Sequence, residues 1–224
     1  AASDVYKRQV FRNGGHEKML EVPTLFGHEM SGRVIAIGRG VRGFFEGDSV
    51  IVVNSSPCLK CDYCRINREN LCRDLHYFNG AYAEYALIPE RFVLHSTYKI
   101  PRKLSFPRAA LTEPLACVLH GIDACELTRY EEGTEIIVYG AGPIGLLFVA
   151  VLANLGFSVV LADPNGPRLD VGKAMGAKKI VQIQRNGGQA EAVKSMSINK
   201  EGMWVAIDAT GQPEVWKDAV STVK

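Results

Sequence analysis

The spacing of apolar residues along this chain changes character near residue 124. Ahead of that point, short apolar alternations are cut by Gly and Pro. Residues 31–38 and 48–53 read as strands, with turns at 38–40 and 45–47. Residues 81–88 follow Asn79-Gly80 and alternate like a half-buried strand. Pro89, Pro101 and Pro107 punctuate what comes next. Beyond residue 134 the rhythm is strand, helix, strand. Residues 136–139 form a wholly apolar run, as a strand buried on both faces requires. Then come Gly140-Ala141-Gly142-Pro143-Ile144-Gly145, a breaker-free stretch over 146–155, and a second apolar strand over 158–162 that ends at Asp163. Residues 178–182 and 202–208 read as third and fourth strands. The pattern predicts an α/β protein: a small β-rich barrel over 10–123, then an incomplete doubly wound parallel sheet over 124–224.

Composition narrows this only a little. The 224 residues are 47% hydrophobic and 22% charged, with a formal net charge of +2, which suits one large or two modest globular domains. Near-neutrality gives no electrostatic reason to expect nucleic acid or an anionic membrane as partner. No run approaches the roughly 18 apolar residues of a membrane span. Residues 1–9, through the run Asp4 to Gln9, resemble a translated sequencing adapter and are expected not to be native. The last residues read as the inside of a helix, so the chain is expected to be part of a longer protein, native from about Val10.

The strongest chemical signal is Cys58-Leu-Lys-Cys61-Asp-Tyr-Cys64, followed seven residues later by Cys72. Four thiols this close on a polar loop (54–75) match a closed, all-sulfur tetrahedral zinc site. Cysteines two residues apart bridge poorly as disulfides. With no coordination position left open, such a metal holds a lobe together and performs no chemistry. Cys117 and Cys125, outside the cluster, are expected to be buried small hydrophobes. His120 is expected to pack along a helix; His16, His76 and His95 suggest no partner.

Gly27-His28-Glu29-Met-Ser-Gly32 sets an imidazole beside a carboxylate, either as two ligands for one zinc or as a buried, hydrogen-bonded histidine. Gly32 is expected to permit close backbone approach there. Thr112-Glu113-Pro114 offers another carboxylate, or simply the first turn of a helix. The glycine turn stands between a strand and a helix, with an acid ending the next strand, and that context makes it a dinucleotide site. Gly140 allows the tight turn, Gly142 the approach of amides to a pyrophosphate, and Gly145 close helix–strand packing. The helix N-terminus, opened by Pro143, favours phosphate charge. Asp163 would accept the ribose hydroxyls and repel a 2′-phosphate, favouring NAD over NADP. Arg168 nearby is a feature that can pull the other way.

His28-Glu29, Gly47-Asp48-Ser-Val50, the four cysteines, Glu113-Pro114 and the glycine turn occur in the order found in medium-chain zinc-dependent alcohol dehydrogenases. Glu113-Pro114 resembles the polyol (sorbitol, threitol) branch. The resemblance implies a GroES-like catalytic domain over 10–123 and a truncated Rossmann domain over 124–224. It implies two zincs: one structural, at Cys58, Cys61, Cys64 and Cys72, and one catalytic. The catalytic ligands would be His28, Glu29 or Glu113, and a cysteine ahead of His28. No cysteine precedes Cys58, and counting back reaches residues 1–7, where Ser3-Asp4 imitates the family's pattern. In the polyol branch an arginine at the offset of Arg168 accompanies NAD. The implied enzyme is cytoplasmic, a homodimer or homotetramer, and oxidises a secondary alcohol of a polyol or sugar. Threonine, glucose and simple alcohol dehydrogenases share these motifs. Two other readings are a zinc-free enone or quinone reductase and a zinc-stabilised nucleic-acid module gripping through Lys60, Arg65, Arg68 and Arg73. The chain by itself is expected to turn over little.

Overall fold

A computed structural model describes Leu25, residues 27–184 and residues 188–224, the side chain of Thr128 excepted. Residues 1–9, with Ser3-Asp4, and His16 lie outside the described residues. The chain divides into two compact units between Ala116 and Cys117, inside the helix Thr112–Ala124.

In the first unit, β1 (Met30–Arg33), β2 (Ser49–Val52) and β5 (Thr97–Lys99) form an antiparallel sheet in the order β1-β2-β5. Its register pairs Met30 with Val52 and Val50 with Lys99. Period-two burial explains β2: Val50 and Val52 face inward while Ser49 and Ile51 are less covered. β3 (Ser55–Ser56) and β4 (His76–Tyr77) make a separate two-stranded ribbon. Between them run the cysteine loop and the short helix α1 (Asp62–Arg65), and α2 (Glu90–His95) packs against β3. α3 (Phe106–Ala109) is pinned to β1 by the Ser31 hydroxyl, which donates to the Phe106 carbonyl at 2.7 Å. α4 (Thr112–Ala124) then leads into the second unit.

The alternation at 81–88 does not become a strand. Among the described residues no strand ladder forms over 81–88, and Tyr82, Tyr85 and Leu87 are exposed, Leu87 at 91%. A strand exists through its ladder, and a two-residue period specifies a face without specifying a partner. Cys117 and Cys125 are likewise exposed rather than buried. The buried stripe of α4 runs through Val118 and Ile122, one residue round from Cys117, and Cys125 follows the last helical residue. His120 is exposed as well.

The second unit is a four-stranded parallel sheet in the order β8-β7-β6-β9. Its strands are β6 (Glu135–Tyr139), β7 (Ser158–Asp163), β8 (Lys179–Gln182) and β9 (Val205–Asp208). Every residue of β6 is buried. Ile136 and Val138, with Val159 and Leu161, join one core with α5 (Pro143–Asn154) and α6 (Gly166–Ala174). Ile137 and Tyr139, with Val160 and Ala162, face the other core beside α7 (Ala190–Lys194) and α8 (Pro213–Thr222). Both faces are covered, which is why these strands read as unbroken apolar runs. Glu135, also buried, is paired with Lys179 at 3.3 Å and accepts the Ile198 amide at 2.8 Å.

Candidate functional site

The four cysteines of the loop converge. All four sulfurs lie within 4.8 Å of one another. Cys61 Sγ is 3.5 Å from Cys64 Sγ and 3.9 Å from Cys72 Sγ, and Cys58 Sγ is 4.0 Å from Cys64 Sγ. Ligands about 2.3 Å from a central zinc stand about 3.8 Å apart at tetrahedral angles, and the three separations straddle that value. They are far beyond a disulfide bond of about 2.0 Å, and all four cysteines are free. Backbone amides aim at the sulfurs: Cys58 N–H and Asp74 N–H donate to Cys72 Sγ at 3.2 and 3.4 Å, and Cys61 N–H donates to Cys58 Sγ at 3.3 Å. Such donors favour thiolate. The Cys64 amide, foremost among several donors, brings the Cys61 thiol down to about 6. Burial pushes Cys64 up to about 12. The donor set fits zinc.

A second cluster lies in the same unit. His28 and Glu29 immediately precede β1, and Glu113 stands in the first turn of α4. One ligand atom from each of the three falls within 4.8 Å of the others. His28 is 9% exposed, and its Nε2 is 3.8 Å from Glu113 Oε1. That separation is too long for a direct hydrogen bond and a few tenths of an ångström beyond the roughly 3.4 Å between two ligands about 2.1 Å from a shared ion at tetrahedral angles. One nitrogen and two carboxylates, one ligand short of four, suit an open zinc site.

The sequence points to Gly32 as the position needing a bare backbone, but a Cβ there would meet no described residue within 4 Å. The requirement falls on Gly27. Its φ is +86°, a Cβ would lie 2.9 Å from Tyr82 Cδ1, and its carbonyl accepts the amides of Gly80 and Ala81 at 2.9 and 3.2 Å. Gly27 thereby ties the chain just before His28 to the 80–82 loop. This contact between distant segments left no local mark in the sequence.

In the second unit the glycine turn has its expected geometry. Gly140 has φ +99°, and a Cβ there would lie 2.9 Å from Thr210 Cγ2, just past the end of β9. A Cβ on Gly145 would fall 1.7 Å from the Gly140 carbonyl oxygen, whereas one on Gly142 would meet no described residue within 4 Å. Open space over Gly142, at the N-cap of α5 with Pro143 in its first turn and Ile144 and Gly145 buried behind it, is what an approaching pyrophosphate needs. Asp163 is 6% exposed and holds this turn as well as flanking it. Its Oδ2 accepts the Ala141 amide and its Oδ1 the Asn165 amide, both at 2.7 Å. One lone pair on each oxygen remains for ribose hydroxyls. Arg168 is exposed in the first turn of α6, and its amide donates to the capping Asn165 side chain at 3.1 Å.

Comparison with known proteins gives the family and the fold. Residues 1–101 match the alcohol dehydrogenase GroES-like domain and residues 143–224 match the zinc-binding dehydrogenase domain. The chain belongs to the medium-chain zinc-dependent alcohol dehydrogenase family, with a GroES-like domain followed by a Rossmann-like one. It is 33% identical over 212 residues to the sorbitol dehydrogenase of Bacillus subtilis, covering 92% of this chain and 58% of that protein. It is 33% identical over 209 residues to an L-threonine 3-dehydrogenase of Aeromonas hydrophila, covering 91% and 58%. Among solved structures, galactitol-1-phosphate dehydrogenase from Escherichia coli superposes with a TM-score of 0.81 at 26% identity, over 100% of this chain and 62% of that one. The chain thus spans less than two thirds of the length of these relatives. No helix among the described residues is long and apolar enough to cross a membrane.

Proposed function

We propose that this protein is a zinc-dependent, NAD-linked dehydrogenase that oxidises a secondary alcohol of a polyol or sugar to the ketone. One observation carries the reading: His28, Glu29 and Glu113 bring their ligand atoms within 4.8 Å of one another, in a chain that also has a dinucleotide-type glycine turn. When bound, zinc supplies Lewis acidity toward a substrate hydroxyl and NAD supplies the hydride acceptor. His28 and one or both carboxylates would hold the metal, and Glu113 would either join them or orient a water beside it. Gly140, Gly142, Pro143, Ile144 and Gly145 form the pyrophosphate seat. Asp163 selects an unphosphorylated ribose, and Arg168 flanks it. Cys58, Cys61, Cys64 and Cys72 hold a structural zinc.

We assign residues 10–123 to the catalytic domain, with the zinc lobe at 54–75, and residues 124–224 to the NAD-binding domain. The substrate is a small molecule. Nucleic acid and membrane are not partners, and the enzyme is a cytoplasmic homo-oligomer. A carboxylate at Glu113 and the likeness to sorbitol and galactitol-1-phosphate dehydrogenases favour polyols. The likeness to threonine dehydrogenases supports the second reading, L-threonine as substrate.

Two measurements test this. Fluorescence titration should show NADH binding more tightly than NADPH. At the length of its relatives, the protein should reduce NAD+ faster with sorbitol or xylitol than with L-threonine or ethanol. Preference for NADPH, or turnover of threonine alone, would contradict the proposal.

A further inference from the structure

Four sulfurs on one loop bind metal tightly only if the loop's two ends are held at a fixed spacing, since otherwise closure entropy opposes every binding event. The short ribbon of β3 and β4 brings the ends together through two residue pairs, Ser55 with Tyr77 and Ser56 with His76. Isolated two-stranded ribbons are marginal by themselves. The Cys58 amide adds a bond across the ends to Cys72 Sγ, and a further restraint comes from Arg91 on α2, outside the loop and unremarkable in the sequence.

Its guanidinium reaches both ends at once. Nε donates to the carbonyl of Pro57, the residue before Cys58, at 3.3 Å. Nη1 donates to Asp74 Oδ2 at 2.8 Å, and Nη2 donates to the Asp74 carbonyl. Asp74 follows Cys72 by two residues, and its amide is one of the donors to Cys72 Sγ. Its other carboxylate oxygen contacts His76 Nε2 at 3.0 Å, so Asp74 is held from two sides. Burial of the buttress differs from that of an ordinary surface pair: the Arg91 side chain is 23% exposed. Its own carbonyl accepts the hydroxyl of fully buried Ser56 at 3.2 Å. By contrast, the bidentate Arg73–Asp62 pair lies within the loop and is open to solvent.

We propose that Arg91 is the positioning residue of the sulfur cluster, a clamp that fixes Cys58 and Cys72 at metal-binding distance by bonding Pro57 and Asp74 together. The planar fork matters, because three donors must point at three acceptors on two separate residues and a lysine ammonium cannot reproduce that geometry. The inference rests on reading the cluster as a zinc site and adds the group outside the ligands that sets its affinity. Outer partners of metal ligands are typically worth about 10–100-fold in affinity.

The experiment is cobalt or zinc release from the loaded full chain to excess chelator. It is followed by the sulfur-to-cobalt absorption for cobalt and by a colorimetric indicator for zinc, with Arg91→Ala, Arg91→Lys and the distant control Arg129→Ala. About 10–100-fold faster release from Arg91→Ala is expected, with Arg91→Lys nearer to alanine than to wild type and Arg129→Ala unchanged. Release from Arg91→Ala within about twofold of wild type, or equal acceleration by Arg129→Ala, would overturn the inference alone. If Arg91→Ala does not fold, Arg91→Lys carries the same criterion. A wild-type chain whose four cysteines take up no metal would overturn the zinc reading and this inference with it.

Discussion

The two candidate metal clusters in the first unit are built in opposite ways. The sulfur cluster draws its ligands from fifteen consecutive positions, fills all four directions, and surrounds its sulfurs with backbone amide donors. The His28 cluster takes ligands from opposite ends of the unit, supplies three of them, and leaves Glu113 partly open to solvent. A closed set of four sulfurs, three of the loop's amides aimed at them, suits a metal that stays. An open set joined only through tertiary structure suits a metal that must exchange one ligand for substrate. On the proposed function, the difference would give stability to one cluster and chemistry to the other.

The strongest way to break this comparison is Cys72→Ser. Cys72 is buried and accepts two amides, so its loss should empty the sulfur cluster and open the 58–72 loop to protease. Metal at the His28 cluster should remain. Metal analysis and limited proteolysis check this, and loss of both metals would show the clusters to be interdependent.

Gly27→Ala should act on the other cluster. It forces a Cβ to φ +86° and to 2.9 Å from Tyr82, costing about 1–2 kcal/mol by left-handed strain alone. Denaturant melts should register that loss, and metal affinity should fall at His28 while the sulfur cluster keeps its own.

The smallest effect is expected at Asp48, where the hydrogen bond from Lys99, then the Phe45 amide, hold the carboxyl below its usual 3.8. A depressed carboxylate stabilises the fold above its unfolded pKa, and that contribution fades as pH falls through the folded value. Asp48→Asn should therefore flatten the acid side of the stability profile below about pH 4 and leave both metal clusters unchanged at neutral pH. A profile identical to wild type would remove this pair from the account.

Legibility in the sequence followed the same divide. Cys58 to Cys72 and Gly140 to Gly145 are contiguous, and their chemistry is written in spacing. β6 and β7 announced themselves because both of their faces are buried, and the sheet order β8-β7-β6-β9 follows from the strand–helix rhythm. What depended on a distant partner was hidden. Residues 81–88 alternate correctly yet find no ladder among the described residues. Gly27 is required by Tyr82 and not by its neighbours. The second task of Asp163, bracing the Ala141 amide, and the clamp at Arg91 emerge only when separate segments meet. Cys117 looked like a core residue because composition cannot say on which side of a helix a small apolar residue stands.

The most direct test of the two-site account is the metal content of the purified wild-type chain beside Cys72→Ser and His28→Ala. The account predicts two zinc ions in the wild type and one in each variant, with His28→Ala retaining the ion whose cobalt analogue shows sulfur-to-metal absorption. A wild-type chain holding one zinc, unchanged in His28→Ala, would contradict it.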